Sequence, residues 1–130
     1  MRRMWAAALL CAWLLLGAGC ASTHTAGNDF QVTNRSDFFE FKIGTAKTLT
    51  MSQNYAWWNP DSSAAVRQDS DIQAGEALVE IRDADGAVVH SKNLREQGTM
   101  VSLKGKPGMW SVKVTLDKAT GSVRFQVEGK

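Results

Sequence analysis

The chain has 130 residues, 22% of them charged, with 15 Lys and Arg against 13 Asp and Glu. Two of the basic residues, Arg2 and Arg3, open a leader; from Cys20 onward the chain carries 13 of each sign, and the mild basicity no longer argues for nucleic acid. Cys20 is the only cysteine past that leader, which excludes a disulfide framework and a cluster of thiolate metal ligands.

In residues 1–19 the basic head is followed by an apolar run from Met4 to Leu16 and by the small residues Gly17, Ala18 and Gly19. That is the layout of a secretory signal peptide, with an apolar stretch too short for a comfortable transmembrane helix. The segment Leu14-Leu-Leu-Gly-Ala-Gly-Cys20-Ala-Ser22 resembles the lipobox of bacterial lipoproteins. Ala18 and Gly19 match the positions before the cysteine; Gly17 departs from the pattern, the leucines here sitting one position further back. The resemblance implies cleavage before Cys20 and a diacylglyceryl thioether on its sulfur. Each buried methylene contributes about 0.8 kcal/mol, so two or three acyl chains hold such a protein on a membrane almost permanently. Ala21 stands where an aspartate retains enterobacterial members at the inner membrane. By resemblance this implies a cell-envelope protein at the outer membrane, facing the periplasm. Ordinary signal peptidase cleavage, after Gly19 or Ala21, would instead release a soluble exported domain.

Residues 20–28 are small and polar after the cysteine and read as a flexible tether, in which His24 is a solvated residue. From residue 29 to 130 the pattern has period two, and about 100 residues suffice for one domain with its own core. Phe30 and Val32, then Phe39, Phe41 and Ile43, then Leu49 and Met51 alternate with polar neighbours. Later, Ala77, Val79 and Ile81 are followed by Met100 or Val101 to Leu103, by Trp110, Val112, Val114 and Leu116, and by Val123, Phe125 and Val127. Each run builds one apolar face of a strand. Turn signals separate them at Asp83-Ala-Asp-Gly86, Gly98, Lys104-Gly-Lys-Pro-Gly108 and Lys118-Ala-Thr-Gly121. The expected fold is all-β, a single antiparallel β-sandwich of seven or eight strands. The runs Val79-Glu-Ile-Arg-Asp-Ala-Asp-Gly-Ala-Val-Val89, Gly108-Met-Trp-Ser-Val-Lys-Val114 and Gly121-Ser-Val-Arg-Phe-Gln-Val127 resemble immunoglobulin-like modules of bacterial exported proteins. That resemblance implies a fold and no role.

Gln53 to Gly75 breaks the rhythm and reads as a long loop, with Asp61 capping a short helix through Ala64, Ala65 and Val66. It holds Tyr55, Trp57 and Trp58, three of the nine aromatics past the leader. Adjacent tryptophans offer flat apolar faces to a partner's side chains or to sugar rings, and Asn54, Asn59 and Asp61 beside them offer hydrogen bonds. The candidate contact residues are therefore Tyr55, Trp57, Trp58, Asn59 and Asp61. The structural alternative is that one tryptophan lids the sandwich while the other continues the Met51 strand. In an extended segment the two rings point to opposite faces, and both faces cannot be core in a two-layer fold.

Enzymatic chemistry finds little footing. In Asp83-Ala-Asp-Gly86, placing Gly86 at the sixth position of a calcium loop puts Ile81 first and Lys92 twelfth, where a carboxylate is required, so the segment reads as a hairpin turn. Asp61, Asp69 and Asp71 read as solvated, no zinc motif is present, and no metal or cofactor is expected. His90 reads as an exposed strand histidine without a nucleophile beside it. Neither a phosphate-binding glycine loop nor a basic-aromatic stripe occurs. The expectation is a non-enzymatic protein, lipid-anchored through Cys20, that binds another envelope protein or forms part of an envelope assembly. A glycan or peptidoglycan binder, or an inhibitor of a wall-degrading enzyme, is the alternative.

Overall fold

The computed structural model describes residues 30–130, and every regular element there is a β-strand. The expected signal peptide, the expected lipidation at Cys20 and the expected tether lie outside the described residues. The strands are β1 (Phe30–Arg35), β2 (Phe38–Asn59), β3 (Ala64–Gln68), β4 (Asp71–Arg82), β5 (Val88–Asn93), β6 (Gly98–Val101) and β7 (Gly108–Gly129), and all their pairings are antiparallel.

β2 and β7 are 22 residues each and run side by side from the Phe38–Glu128 pair to the Asn59–Gly108 pair. A flat ribbon of that length would leave its apolar face in water. It folds over instead, through register shifts between Ile43 and Met51 and positive φ at Thr48, Lys118 and Gly121. At Gly121 φ is 128° and a Cβ would overlap the carbonyl oxygen of Asp71, so glycine alone fits this corner.

The bend divides each long strand between two layers. One layer runs β1, residues 38–43 of β2, residues 123–129 of β7, β3, β6. The other runs residues 51–59 of β2, residues 108–116 of β7, β4, β5. Inward residues alternate along every central strand and meet between the layers. Phe41 stacks on Phe125 with ring centroids 5.7 Å apart, and Phe39 meets Tyr55 of the other layer at 5.3 Å. Val112, Val114, Leu116, Val79 and Ile81 complete the buried set.

The expected antiparallel sandwich is therefore the observed class, with seven strands. Its order, in which both long strands serve both layers, is the double Greek key of a jelly roll. The immunoglobulin-like resemblance stops at that order. Such a module pairs its last two strands within one sheet, whereas residues 108–116 and 123–129 are halves of one strand in different layers.

The expected long loop is corrected. β2 continues to Asn59 because β7 pairs with it over its whole length, a turn follows, and the stretch expected as a short helix is strand β3, held between β7 and β6. Pairing partners decide strand structure here against an unhelpful composition. The Asp83–Gly86 turn is as expected. The Asp83 carboxylate accepts the N–H groups of Lys106, Ala87 and Asp85 at 2.9, 2.8 and 3.0 Å, which holds its pKa below the usual carboxylate range.

Candidate functional site

The pleat of β2 separates the five candidate residues. Tyr55, Trp57 and Asn59 face inward and Trp58 faces out, while Asp61 lies in the turn beyond the strand. Trp57 is fully buried, donates its indole N–H to the Arg35 carbonyl at 3.1 Å and stands edge-on to Trp110, with ring centroids 6.0 Å apart. Tyr55 is half-buried against Phe39 and Phe41, and burial pushes its phenol above the usual value.

Asn59 is also buried, and its side chain shapes the turn. Its Nδ2 donates to the Ser63 carbonyl at 3.2 Å and its Oδ1 accepts the Asp61 N–H at 3.0 Å. The side-chain oxygens of Asp37, Asn59 and Asp61 crowd the α-carbon of Gly129, where any Cβ would collide with them. Asp61 thus borders this turn and is partly exposed.

Trp58 remains as a presented aromatic, 48% exposed on the outer face of the second layer. Its direct cross-strand partner is Met109, which is 55% exposed. Opposed residues on one face of an antiparallel pair lie about 5 Å apart, so the indole and the thioether form one apolar spot. Exposed Pro60 and Pro107 flank it in sequence, and Asn54 shares the outer face of β2. The backbone beneath is fixed on both sides: Met109 pairs across to Trp58, and the Trp58 carbonyl accepts the Asp37 N–H at 3.0 Å.

Met109 was not legible as a site residue, although a signal exists. Both β2 and β7 carry two adjacent large apolar residues at the same end, Trp57-Trp58 and Met109-Trp110, and the pleat must turn one of each pair outward.

His90 departs from expectation. It lies on β5 but is only 6% exposed, because it pairs with Ile81 on the inward face. Its Nε2 is 3.1 Å from Gln68 Oε1. Burial first, and the Lys92 charge second, push its pKa below the usual histidine value, while the Glu96 carboxylate works in the opposite direction. Among the described residues no three His, Cys, Asp or Glu side chains gather into a metal-ligand set.

The fold and site define an all-β jelly-roll sandwich with one exposed Trp–Met pair. No protein-family model matches the chain, and no curated protein matches it. Among solved structures it is similar to procruciferin, the 11S globulin from Brassica napus, at 17% identity and a TM-score of 0.37, over 71% of this chain and 20% of that one. It is also similar to the capsular polysaccharide assembling protein CapF from Staphylococcus aureus, at 9% identity and a TM-score of 0.40, over 85% of this chain and 30% of that one. A third is the infectious bursal disease virus Gt strain, at 7% identity and a TM-score of 0.32, over 80% and 32%. The chain spans only a fifth to a third of the length of these structures.

Proposed function

We propose that the chain is a non-enzymatic bacterial cell-envelope lipoprotein, anchored by lipid on Cys20, whose sandwich binds another envelope protein through the outer face around Trp58. The observation that carries this reading is the exposed indole of Trp58 against the exposed Met109 on a backbone fixed by its ladder. Tryptophan and methionine are enriched at protein interfaces, and a tryptophan already held in place loses little further freedom on binding. Asp61 lies in the turn that follows β2, while Tyr55, Trp57 and Asn59 act beneath the contact, from the inward face, by holding β2 and its turn. The buried His90 bonds to an amide and not to a nucleophile, which favours binding over catalysis.

The resemblance of residues 14–22 to a lipobox supports an anchor on Cys20, and Ala21 after it supports the outer membrane, facing the periplasm. Intact mass after export, with palmitate labelling, tests the anchor. A gain matching acyl chains that disappears in Cys20→Ala supports it, and an unlipidated mass contradicts it. Quantitative co-purification tests the contact: a stoichiometric partner lost in Trp58→Ala but kept in Lys113→Ala supports it, and equal recovery from both variants contradicts it. Glycan binding would show instead as a shift of tryptophan fluorescence on titration with cell-wall fragments, abolished in Trp58→Ala.

A further inference from the structure

Backbone geometry sets Trp58 and Met109 close together. The carbonyls of Ala56 and Trp58 accept from Asn34 Nδ2 and from the Asp37 N–H, at 2.8 and 3.0 Å. Residues of that parity on β2 therefore turn their backbone groups away from β7. Trp58 and Met109 form a non-hydrogen-bonded pair, the narrower kind, with α-carbons about 4.5 Å apart. A thioether and an indole at that spacing are in range of a favourable sulfur–aromatic contact. Both side chains are exposed, so the contact sits in water.

The thioether gives this spot a chemistry that the other exposed apolar side chains lack, since Val32, Leu78, Val88, Val101 and Leu103 contain no sulfur. Past the expected leader the chain has three methionines, Met51, Met100 and Met109. Met51 packs against the core, and Met100 is half-buried opposite Val66 on the inward face of β6. Met109 alone is exposed. Oxidation of a thioether requires the oxidant to reach a sulfur lone pair, so exposure ranks Met109 first.

We infer that Met109 is a modification site, oxidised to the sulfoxide by hydrogen peroxide, and that this oxidation weakens docking at Trp58. The second half rests on the reading of Trp58 as a docking surface. In the reaction the sulfur lone pair attacks one peroxide oxygen, an S–O bond forms and the O–O bond breaks. The sulfur loses two electrons, and the proton of the transferred oxygen passes to the departing hydroxide, which leaves as water. The product puts a strong hydrogen-bond acceptor beside the indole in place of an apolar atom. A partner that covers an apolar spot then desolvates that oxygen without offering it a donor, and docking weakens about tenfold or more. A seated partner shields Met109, so the reaction acts on free copies. Methionine sulfoxide reductases return the thioether, which makes the change reversible.

The test uses the Cys20→Ala chain, in which methionine is the only sulfur past the leader and no lipid masks the surface. After brief peroxide treatment, peptide mass spectrometry should find the added oxygen on Met109 well before Met100 or Met51. Retention on a phenyl matrix should fall in this chain, and should not change when Met109→Leu is added. The oxidised chain, freed of peroxide, is then offered to an envelope extract. Recovery of the protein that depends on Trp58 should drop about tenfold, return after reductase treatment, and be the same before and after peroxide for Met109→Leu. Oxidation of Met51 or Met100 as fast as Met109, an equal loss of retention with Met109→Leu, or undiminished recovery by the oxidised chain overturns the inference. If the untreated chain recovers no Trp58-dependent protein, the docking surface itself falls, and with it the predicted weakening; the mass and retention results still decide the modification site.

Discussion

Trp57 has its indole N–H committed to the Arg35 carbonyl and its ring set against Trp110, so truncation there leaves a cavity and an unpaired acceptor. We expect Trp57→Ala to cost about 3–5 kcal/mol. Trp58→Ala removes a cross-strand contact on the wet face and should cost about 1 kcal/mol or less. Urea denaturation of the two variants checks the contrast; equal losses would mean that Trp58 is a structural residue. His90 supplies a second residue-scale expectation. Its folded pKa lies below its unfolded value of about 6.5, so as pH falls through that value the unfolded chain takes up a proton that the folded chain refuses. The stabilisation is complete above about pH 6.5 and is lost progressively below it. Denaturation midpoints at pH 8 and pH 5.5 should differ in the wild type by more than in His90→Gln. Lys92 and Glu96, the charged groups acting on the ring, remain in both.

Alternation made most strands legible where the inward residues are Val, Ile, Phe or Leu, as in β4 and both halves of β7. It failed from Gln53 to Gly75, where the inward positions are Gln53, Tyr55, Trp57 and Asn59 and no apolar count at period two emerges. It also failed on β5, where an edge strand carries a buried histidine whose amide partner, Gln68, lies on β3, 22 residues earlier. The corner between the layers was visible only as Lys118-Ala-Thr-Gly121, a turn signal. Its actual work is to bend a strand that keeps its partner. Gly121→Ala should therefore lower Tm by roughly 5–20 °C, from a strain of about 1–3 kcal/mol in a domain of this size. Ser122→Ala, one position on, should stay within about 0.5 kcal/mol. A calorimetric scan of the two separates a required conformation from general sensitivity of the corner.

On the scale of the molecule, the all-β sandwich followed from pattern, and the jelly-roll order did not. That order depends on β2 and β7 crossing from one layer to the other, a matter of register and bend that leaves no period in the sequence. The same crossing brings Trp58 and Met109, 51 residues apart, into one exposed pair, which is why half of the candidate contact could not be read from the chain. In the proposed arrangement, lipid on Cys20 anchors a domain that presents this pair to a partner seated on Trp58. The most direct test places a photo-crosslinking amino acid at position 58, and separately at position 113 on the same outer face, and irradiates intact cells. A partner seated on Trp58 should give one discrete protein adduct from position 58 and none from position 113. No adduct at 58, or the same adducts from both positions, would contradict it.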